Sequence, residues 1–170
     1  MYKYLDIINY MKKLLIIFTY FLLIEYSATK EEKEYKFNWY PVIDAKDNII
    51  KFPDSSKYEI YHSSGVWEDN FGNYGIMKCN IAQLINNSKD ISLDGYCEGE
   101  DSEKEKFWLS LKRNSFNKVG VGQAKYLFTE NKYDILKRKE CPYAALLIKG
   151  GGVFKLFCKI TNAEYKFLEK

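Results

Sequence analysis

Apolar and polar residues alternate with a period of two over much of the chain beyond residue 57. Tyr58 and Ile60 alternate with Glu59 and Tyr61, and the run Phe107–Leu111 repeats the pattern with both of its faces partly apolar. Successive side chains of a β-strand point to opposite faces, so this period is typical of half-buried strands. The pattern therefore predicts a strand at each of these places.

Residues that favour tight turns separate these runs. Gly72 and Asn73 lie between two aromatic-rich runs, and Gly150–Gly152 separates the last two. Such residues tolerate the positive φ of short hairpin turns. The segment Ile81–Ile85 fits either the end of a strand or a short helical turn. The spacing predicts an all-β fold with little helix, an antiparallel barrel or sandwich of about eight strands.

Local features carry further expectations. Ser63–Gly65 predicts a bend after the first regular strand, whereas Gly120 and Gly122 predict a bulge or close packing within a later strand. The connection after that strand is polar, with a helical turn expected at Tyr133–Lys137. The segment Glu164–Leu168 is predicted to add one more strand.

The first residues have the features of a secretory signal. Leu14–Ile24 is almost entirely apolar and follows Lys12 and Lys13. A basic start followed by an apolar run of ~7–15 residues defines such a signal, and a bilayer span needs ~20. We predict a signal peptide at residues 1–28, with Met11 as an alternative start. The mature protein is then expected to be periplasmic or secreted, without a stable membrane span.

The rest of the chain divides into two parts. Residues 29–56 are charged at first and then aromatic, and Pro41 argues against a central strand there. We therefore expect 29–56 to be an extended N-terminal segment that covers a sheet edge or plugs a barrel end. Residues 57–170 are expected to form a single β-barrel-like domain.

All four cysteines lie beyond the predicted signal, which fits export to an oxidising compartment. Three pairings are open to them. We favour Cys79 with Cys97 and Cys141 with Cys158, because each pair brackets one local unit of strands. A zinc site is the alternative, but the close cysteine spacing and the histidines of structural zinc sites are missing.

Charge and motifs exclude several classes of function. The formal net charge of +3 is small for 170 residues, whereas a nucleic-acid binder carries a strongly basic patch. Gly120 and Gly122 lack the third glycine and the helix of a dinucleotide-binding loop. The sequence therefore predicts no nucleic-acid partner and no cofactor.

Two polar clusters resemble chemical sites only superficially. His62 precedes Ser63, but neighbouring strand residues face opposite sides, so they make poor partners in a hydrolase triad. The segment Glu98–Glu105 is rich in carboxylates, but it lacks the spacing of a calcium loop and contains Lys104. We predict a solvated acidic loop there, no metal site and no catalytic residue.

The aromatic content is the remaining signal for function. Aromatic side chains on separate strands either fill the core of a small barrel or line one cavity. Arg113, at the end of a strand, is the basic residue expected to anchor a ligand carboxylate. The candidate ligand-binding residues are Trp67, Tyr74, Trp108, Arg113, Tyr126 and Tyr143.

Three stretches carry a resemblance to a known group of proteins. They are Gly65-Val66-Trp67, the run from Gly72 to Gly75 with Cys79, and Gly95-Tyr96-Cys97. Together they resemble small exported bacterial β-barrels of a calycin-like or allene-oxide-cyclase-like kind. The resemblance implies a closed or nearly closed barrel with a small apolar interior, and it implies no particular reaction.

Three functions follow as hypotheses. The first is a non-enzymatic module that binds a small apolar or amphipathic ligand inside the barrel. The alternative is a protein-interaction module, for instance an inhibitor of a periplasmic hydrolase, that uses the Glu98–Glu105 loop or the Gly150 hairpin. The second alternative is an enzyme of the cyclase or isomerase type.

Overall fold

The structure is a computed structural model that describes residues 32–116, 119–148 and 150–169. The predicted signal peptide at residues 1–28 and the alternative start at Met11 lie outside the described residues. Within those ranges, no helix has the length and the apolar character needed to cross a membrane.

Eight antiparallel strands form a closed barrel in which every strand pairs with its neighbour in sequence and the first pairs with the last. This confirms the predicted all-β fold and makes it a barrel. Closure removes the open edges that a sheet of this length would otherwise expose. The strands are β1 (Glu32–Lys51), β2 (Lys57–Asp69), β3 (Tyr74–Ile85), β4 (Asp90–Asp101), β5 (Lys106–Phe116), β6 (Val119–Thr129), β7 (Glu140–Ile148) and β8 (Gly151–Thr161).

The barrel already includes the segment expected to precede it. Strand β1 pairs with β8 from Glu32 to Trp39 and with β2 from Phe37 to Lys51. The pairing with β8 therefore ends before Pro41, where the ring leaves the backbone without an amide hydrogen to donate. A proline is tolerated at such a place, which is why β1 passes through it.

Strand β2 is continuous, so the bend expected at Ser63–Gly65 is wrong. Gly65 instead allows close packing: a Cβ at this position would lie 2.1 Å from the carbonyl oxygen of Tyr40 on β1. Any other residue would push the two strands apart. The segment Ile81–Ile85 is likewise strand to its end.

Both predicted disulfides are confirmed. Cys79 is bonded to Cys97 and Cys141 to Cys158. Cys79 and Cys97 are direct register partners on β3 and β4, and all four side chains face the interior. Each bond therefore staples two neighbouring strands. Two such bonds fit a non-reducing compartment.

Two short helices lie at the same end of the barrel, which we call the helix end. A 3₁₀ helix, Asn131–Leu136, joins β6 to β7 close to the predicted helical turn. Helix α1, Asn162–Leu168, follows β8, so the strand expected at Glu164–Leu168 is wrong. The side chain of Thr161 accepts a hydrogen bond from the amide of Glu164, and the Glu164 carboxylate accepts one from the Thr161 amide. This reciprocal cap favours a helix.

The opposite end, which we call the hairpin end, carries the connections from β1 to β2, β3 to β4, β5 to β6 and β7 to β8.

The helix-end half of the interior is filled with aromatic rings. Phe107 lies at the centre, with its ring centroid 5.2–5.8 Å from those of four aromatic neighbours. Those neighbours are Phe37, Trp67, Tyr126 and Tyr133.

Candidate ligand site at the hairpin end

The six candidate residues lie in three different places. Tyr74 and Trp108 are on the outer surface, which corrects the expectation that they face a common interior. Tyr74 is 63% exposed, and the indole nitrogen of Trp108 donates to a carboxylate oxygen of Glu98 at 3.1 Å. Their positions on β3 and β5 alternate with inward-facing residues, so the strand period places them outside.

Trp67 and Tyr126 face inward but belong to the filled half. Both are buried within the aromatic cluster around Phe107, and neither lines a cavity at the hairpin end. They are core residues, as expected for a narrow eight-stranded barrel whose interior is just wide enough for side chains.

Arg113 and Tyr143 lie together in the other half of the interior, beside a cavity of about 30 Å³. This cavity, which we call the Arg113 cavity, lies toward the hairpin end because its lining comes from the ends of the strands nearest those connections. A polar cavity of this size holds about two water-sized groups. The lining residues are Trp39, Pro41, Tyr61, Ser63, Ile81, Leu93, Leu111, Arg113, Tyr143, Ala145 and Phe154.

The two glycines of β6 make room for this site. A Cβ at Gly120 would lie 2.9 Å from the Cδ of Arg113, and a Cβ at Gly122 would lie 2.4 Å from the Cζ of Tyr143. The expected close packing at these glycines is therefore present, whereas the bulge lies elsewhere, between Trp108 and Leu109 in their pairing with β6. The glycines permit two large polar side chains to lie flat against β6.

Arg113 is buried, and none of the described residues that line the cavity beside it is acidic. Arg113 is only 3% exposed, and its Nε has no hydrogen-bond partner among the described residues. Glu59, also inside the barrel, accepts hydrogen bonds from Lys57 and Gln83 and does not line the cavity. A buried guanidinium in this position is costly unless something binds it.

Two further buried polar groups line the same cavity. The hydroxyl of Tyr61 and the indole nitrogen of Trp39 have no hydrogen-bond partner in the described part of the chain, and each residue is 2% exposed. Buried polar groups are rarely left unpaired in folded proteins. Neither residue was a candidate from the sequence, because aromatic residues on a strand look the same whether they fill a core or border a cavity.

Burial keeps the two phenols of the site neutral. Desolvation raises the pKa of Tyr61 to about 12, although the positive charge of Arg113 opposes the shift and Glu59 adds to it. Desolvation also raises the pKa of Tyr143 to about 12, again opposed by Arg113. Both hydroxyls therefore carry their protons near neutral pH and remain able to donate hydrogen bonds.

The helix end pairs its buried carboxylates, in contrast to the Arg113 cavity. One oxygen of Asp101 accepts from the Tyr133 hydroxyl at 2.9 Å and from the Lys132 ammonium at 2.7 Å. The other oxygen accepts from the amides of Glu103 and Glu105. Among the described residues of this half, three neutral groups have no hydrogen-bond partner: the hydroxyls of Tyr35 and Tyr126 and the indole nitrogen of Trp67. None of them borders the Arg113 cavity.

An outer groove of about 390 Å³ lies on the face of β2, β3 and β4. Val66, Tyr74 and Ile76 are its exposed apolar residues. Its acidic groups are paired: Glu100 lies 2.9 Å from Lys104, and Glu98 lies 3.0 Å from Lys106. The acidic loop predicted at Glu98–Glu105 is shorter than expected, because residues 98–101 belong to β4.

His62 lies on the outer face of β2, within hydrogen-bond reach of the Asn80 side chain. Ser63 faces the interior and donates to the carbonyl oxygen of Val42. The two residues thus point to opposite sides of the barrel wall, as the strand period requires.

Comparison with known proteins shows a shared fold. No protein-family model matches the chain, and no curated protein matches it. A conserved protein of unknown function from Rhodopseudomonas palustris is similar, with a TM-score of 0.65, 12% identity, and coverage of 78% of this chain and 100% of that one. A protein of unknown function from Clostridium acetobutylicum gives a TM-score of 0.63, 11% identity, and coverage of 77% and 99%. These likenesses establish the barrel and leave the calycin-like or cyclase-like kinship without support.

Proposed function

We propose that the protein binds a small amphipathic molecule in the Arg113 cavity and does not transform it chemically. One observation carries the proposal: the cavity is bordered by three buried polar groups without protein partners, on Arg113, Tyr61 and Trp39. Unlike the three unpaired groups of the filled half, this set includes a charged group and borders a cavity, so it fits a ligand that satisfies it.

The aromatic and aliphatic wall beside these groups suits an apolar part of the ligand. Tyr143 and Phe154 are stacked, with ring centroids 4.6 Å apart, and Trp39 meets Phe154 edge-on at 5.8 Å. Leu93 and Leu111 complete this wall. Apolar walls with a few placed polar groups are typical of small-molecule sites.

Binding fits the site better than catalysis does. General acid–base catalysis needs a group whose pKa lies near the working pH. Burial raises the pKa of the Tyr61 and Tyr143 phenols to about 12, far above neutral pH. The lining contains no histidine, carboxylate or thiol. The outer groove is a weaker candidate, because its carboxylates Glu98 and Glu100 already pair with lysines.

Two isosteric small molecules, added to the protein as purified from cells, test the proposal. Butyrate and butyramide differ in charge but hardly in size, and ligand-observed NMR detects weak binding of either. Ala145→Val narrows the cavity, whereas Ala144→Val makes the same change on the outer face of β7. We expect at least one probe to bind to the wild type and to Ala144→Val, and more weakly to Ala145→Val. Binding of neither probe, or equal binding to both variants, overturns the proposal.

A further inference from the structure

The charge of the Arg113 cavity identifies the class of ligand. We infer that the ligand carries a single carboxylate, which the Arg113 guanidinium binds within the barrel. This inference rests on the proposed function and adds to it the chemical group that the site selects.

The unpaired polar groups of the cavity favour a ligand that accepts hydrogen bonds. Arg113 Nε and Trp39 Nε1 can only donate hydrogen bonds, and the neutral Tyr61 hydroxyl is also able to donate. The hydroxyl of Ser63 is already used, because it donates to the Val42 carbonyl oxygen at 2.8 Å. A ligand rich in hydrogen-bond donors, such as an amine, would face protein groups that also donate. A ligand with two acceptor oxygens would satisfy the site.

The positive charge then requires a negative one. No acidic side chain borders the cavity, and the interior Glu59 is held by Lys57 at 2.5 Å and by Gln83 at 2.7 Å. A single guanidinium matches a single negative charge. A dianion would leave a second charge buried without compensation, which is strongly unfavourable.

Size and shape separate the carboxylate from other anions. The cavity of about 30 Å³ accommodates about two water-sized groups, the size of the two oxygens of a carboxylate. A tetrahedral phosphate or sulfate is larger and carries further oxygens. The planar guanidinium edge donates two parallel hydrogen bonds to a carboxylate or to a phosphate, so the small volume of the cavity decides in favour of the carboxylate.

The site also orients the ligand. With the carboxylate at Arg113, the rest of the molecule lies along the aromatic wall of Tyr143 and Phe154, toward Pro41 and Ala145. The head group fills the cavity of about 30 Å³, so the apolar portion of the ligand extends out of the cavity along this wall. The inference therefore names short monocarboxylates, whose apolar portion reaches the hairpin end.

The same two probes decide the question when the charge of the site is also changed. We expect butyrate to bind to the wild type about tenfold more tightly than butyramide, because its hydrogen bonds are charge-assisted. Arg113→Met should remove this preference, and Arg113→Lys should keep part of it, since lysine retains the charge and loses the planar fork. Lys112→Met removes a neighbouring charge on the outer face and should change nothing.

The outcomes separate the inference from the function on which it rests. If butyramide binds as well as butyrate, and does so in a cavity-dependent way, the inference is overturned while the proposed function stands. If neither probe binds, both are overturned. If Arg113→Met does not fold, Arg113→Lys and Tyr61→Phe decide: a butyrate preference that neither variant reduces contradicts the inference.

Discussion

The two ends of the barrel differ in how a buried charge is compensated. At the helix end, Asp101 accepts four hydrogen bonds, including one from Lys132, so its charge is compensated by the protein itself. At the hairpin end, Arg113 is equally buried and has no carboxylate partner among the described residues. A charge that is compensated internally stabilises the fold, whereas a charge left uncompensated stabilises a complex. Under the proposed function, the helix end serves stability and the hairpin end serves recognition.

The largest expected effect is the loss of the helix-end network. Asp101→Ala leaves the Tyr133 hydroxyl and the Lys132 ammonium without their shared acceptor. We expect the free energy of unfolding to fall by about 3–5 kcal/mol, as when one partner of a buried ion pair is removed. Urea unfolding at neutral pH measures it. Asp94→Ala, on the exposed face of the same strand, is the control and should change stability by less than about 0.5 kcal/mol.

The disulfides should support both ends alike. Cys141→Ala with Cys158→Ala opens a loop with a sequence separation of 17 and should lower the free energy of unfolding by about 3 kcal/mol. The cause is the greater conformational freedom of the unfolded chain. Chemical denaturation of the double variant measures the loss, and a comparable stability of the variant and the wild type would contradict it.

Replacement of the uncompensated charge should have the opposite sign. Arg113→Met keeps a similar volume but removes the buried guanidinium, so the ligand-free protein should become more stable by about 1–3 kcal/mol. Urea unfolding without added carboxylate measures the difference, with Lys112→Met as the exposed control. A loss of stability in Arg113→Met would show that the protein itself compensates Arg113, and the contrast between the ends would then fail.

The smallest expected effect is the contribution of Asp101 to the loss of folding stability at acid pH. Burial on its own would raise the pKa of Asp101, but hydrogen bonds from Lys132, Tyr133 and the amides of Glu105 and Glu103 outweigh it and lower the pKa. This group therefore stabilises the fold above its unfolded pKa of ~3.9 and ceases to do so as the pH falls through the lower folded value. Unfolding at a series of pH values should show a steeper acid loss in the wild type than in Asp101→Asn. Parallel curves would contradict the assignment.

Much of the fold was predictable from the sequence because strand period, turn residues and cysteine spacing are local signals. The seven strands β2 to β8, their antiparallel order and both disulfides followed from them. The C-terminal helix was predictable in principle, since Thr161 and Glu164 have the spacing of a capping box. Strand β1 was harder, because the cost of Pro41 depends on where the pairing with β8 ends, and this is a tertiary property.

The site was predictable only in part, because alternation does not say which face is inside. On β2 the interior face carries Glu59, Tyr61 and Ser63, whereas the more apolar-looking face with Ile60 lies toward the outside. Arg113 was a candidate from the sequence as a basic residue at a strand end. Its lack of a countercharge depends on four or more other strands and has no local signal.

The most direct test is a crystal structure of the protein grown with butyrate. The account predicts butyrate in the Arg113 cavity, with a carboxylate oxygen about 2.7–2.9 Å from Arg113 Nε and the alkyl chain against Tyr143 and Phe154. A structure in which Arg113 pairs with a carboxylate of the chain itself, while butyrate is absent from the interior, would contradict it.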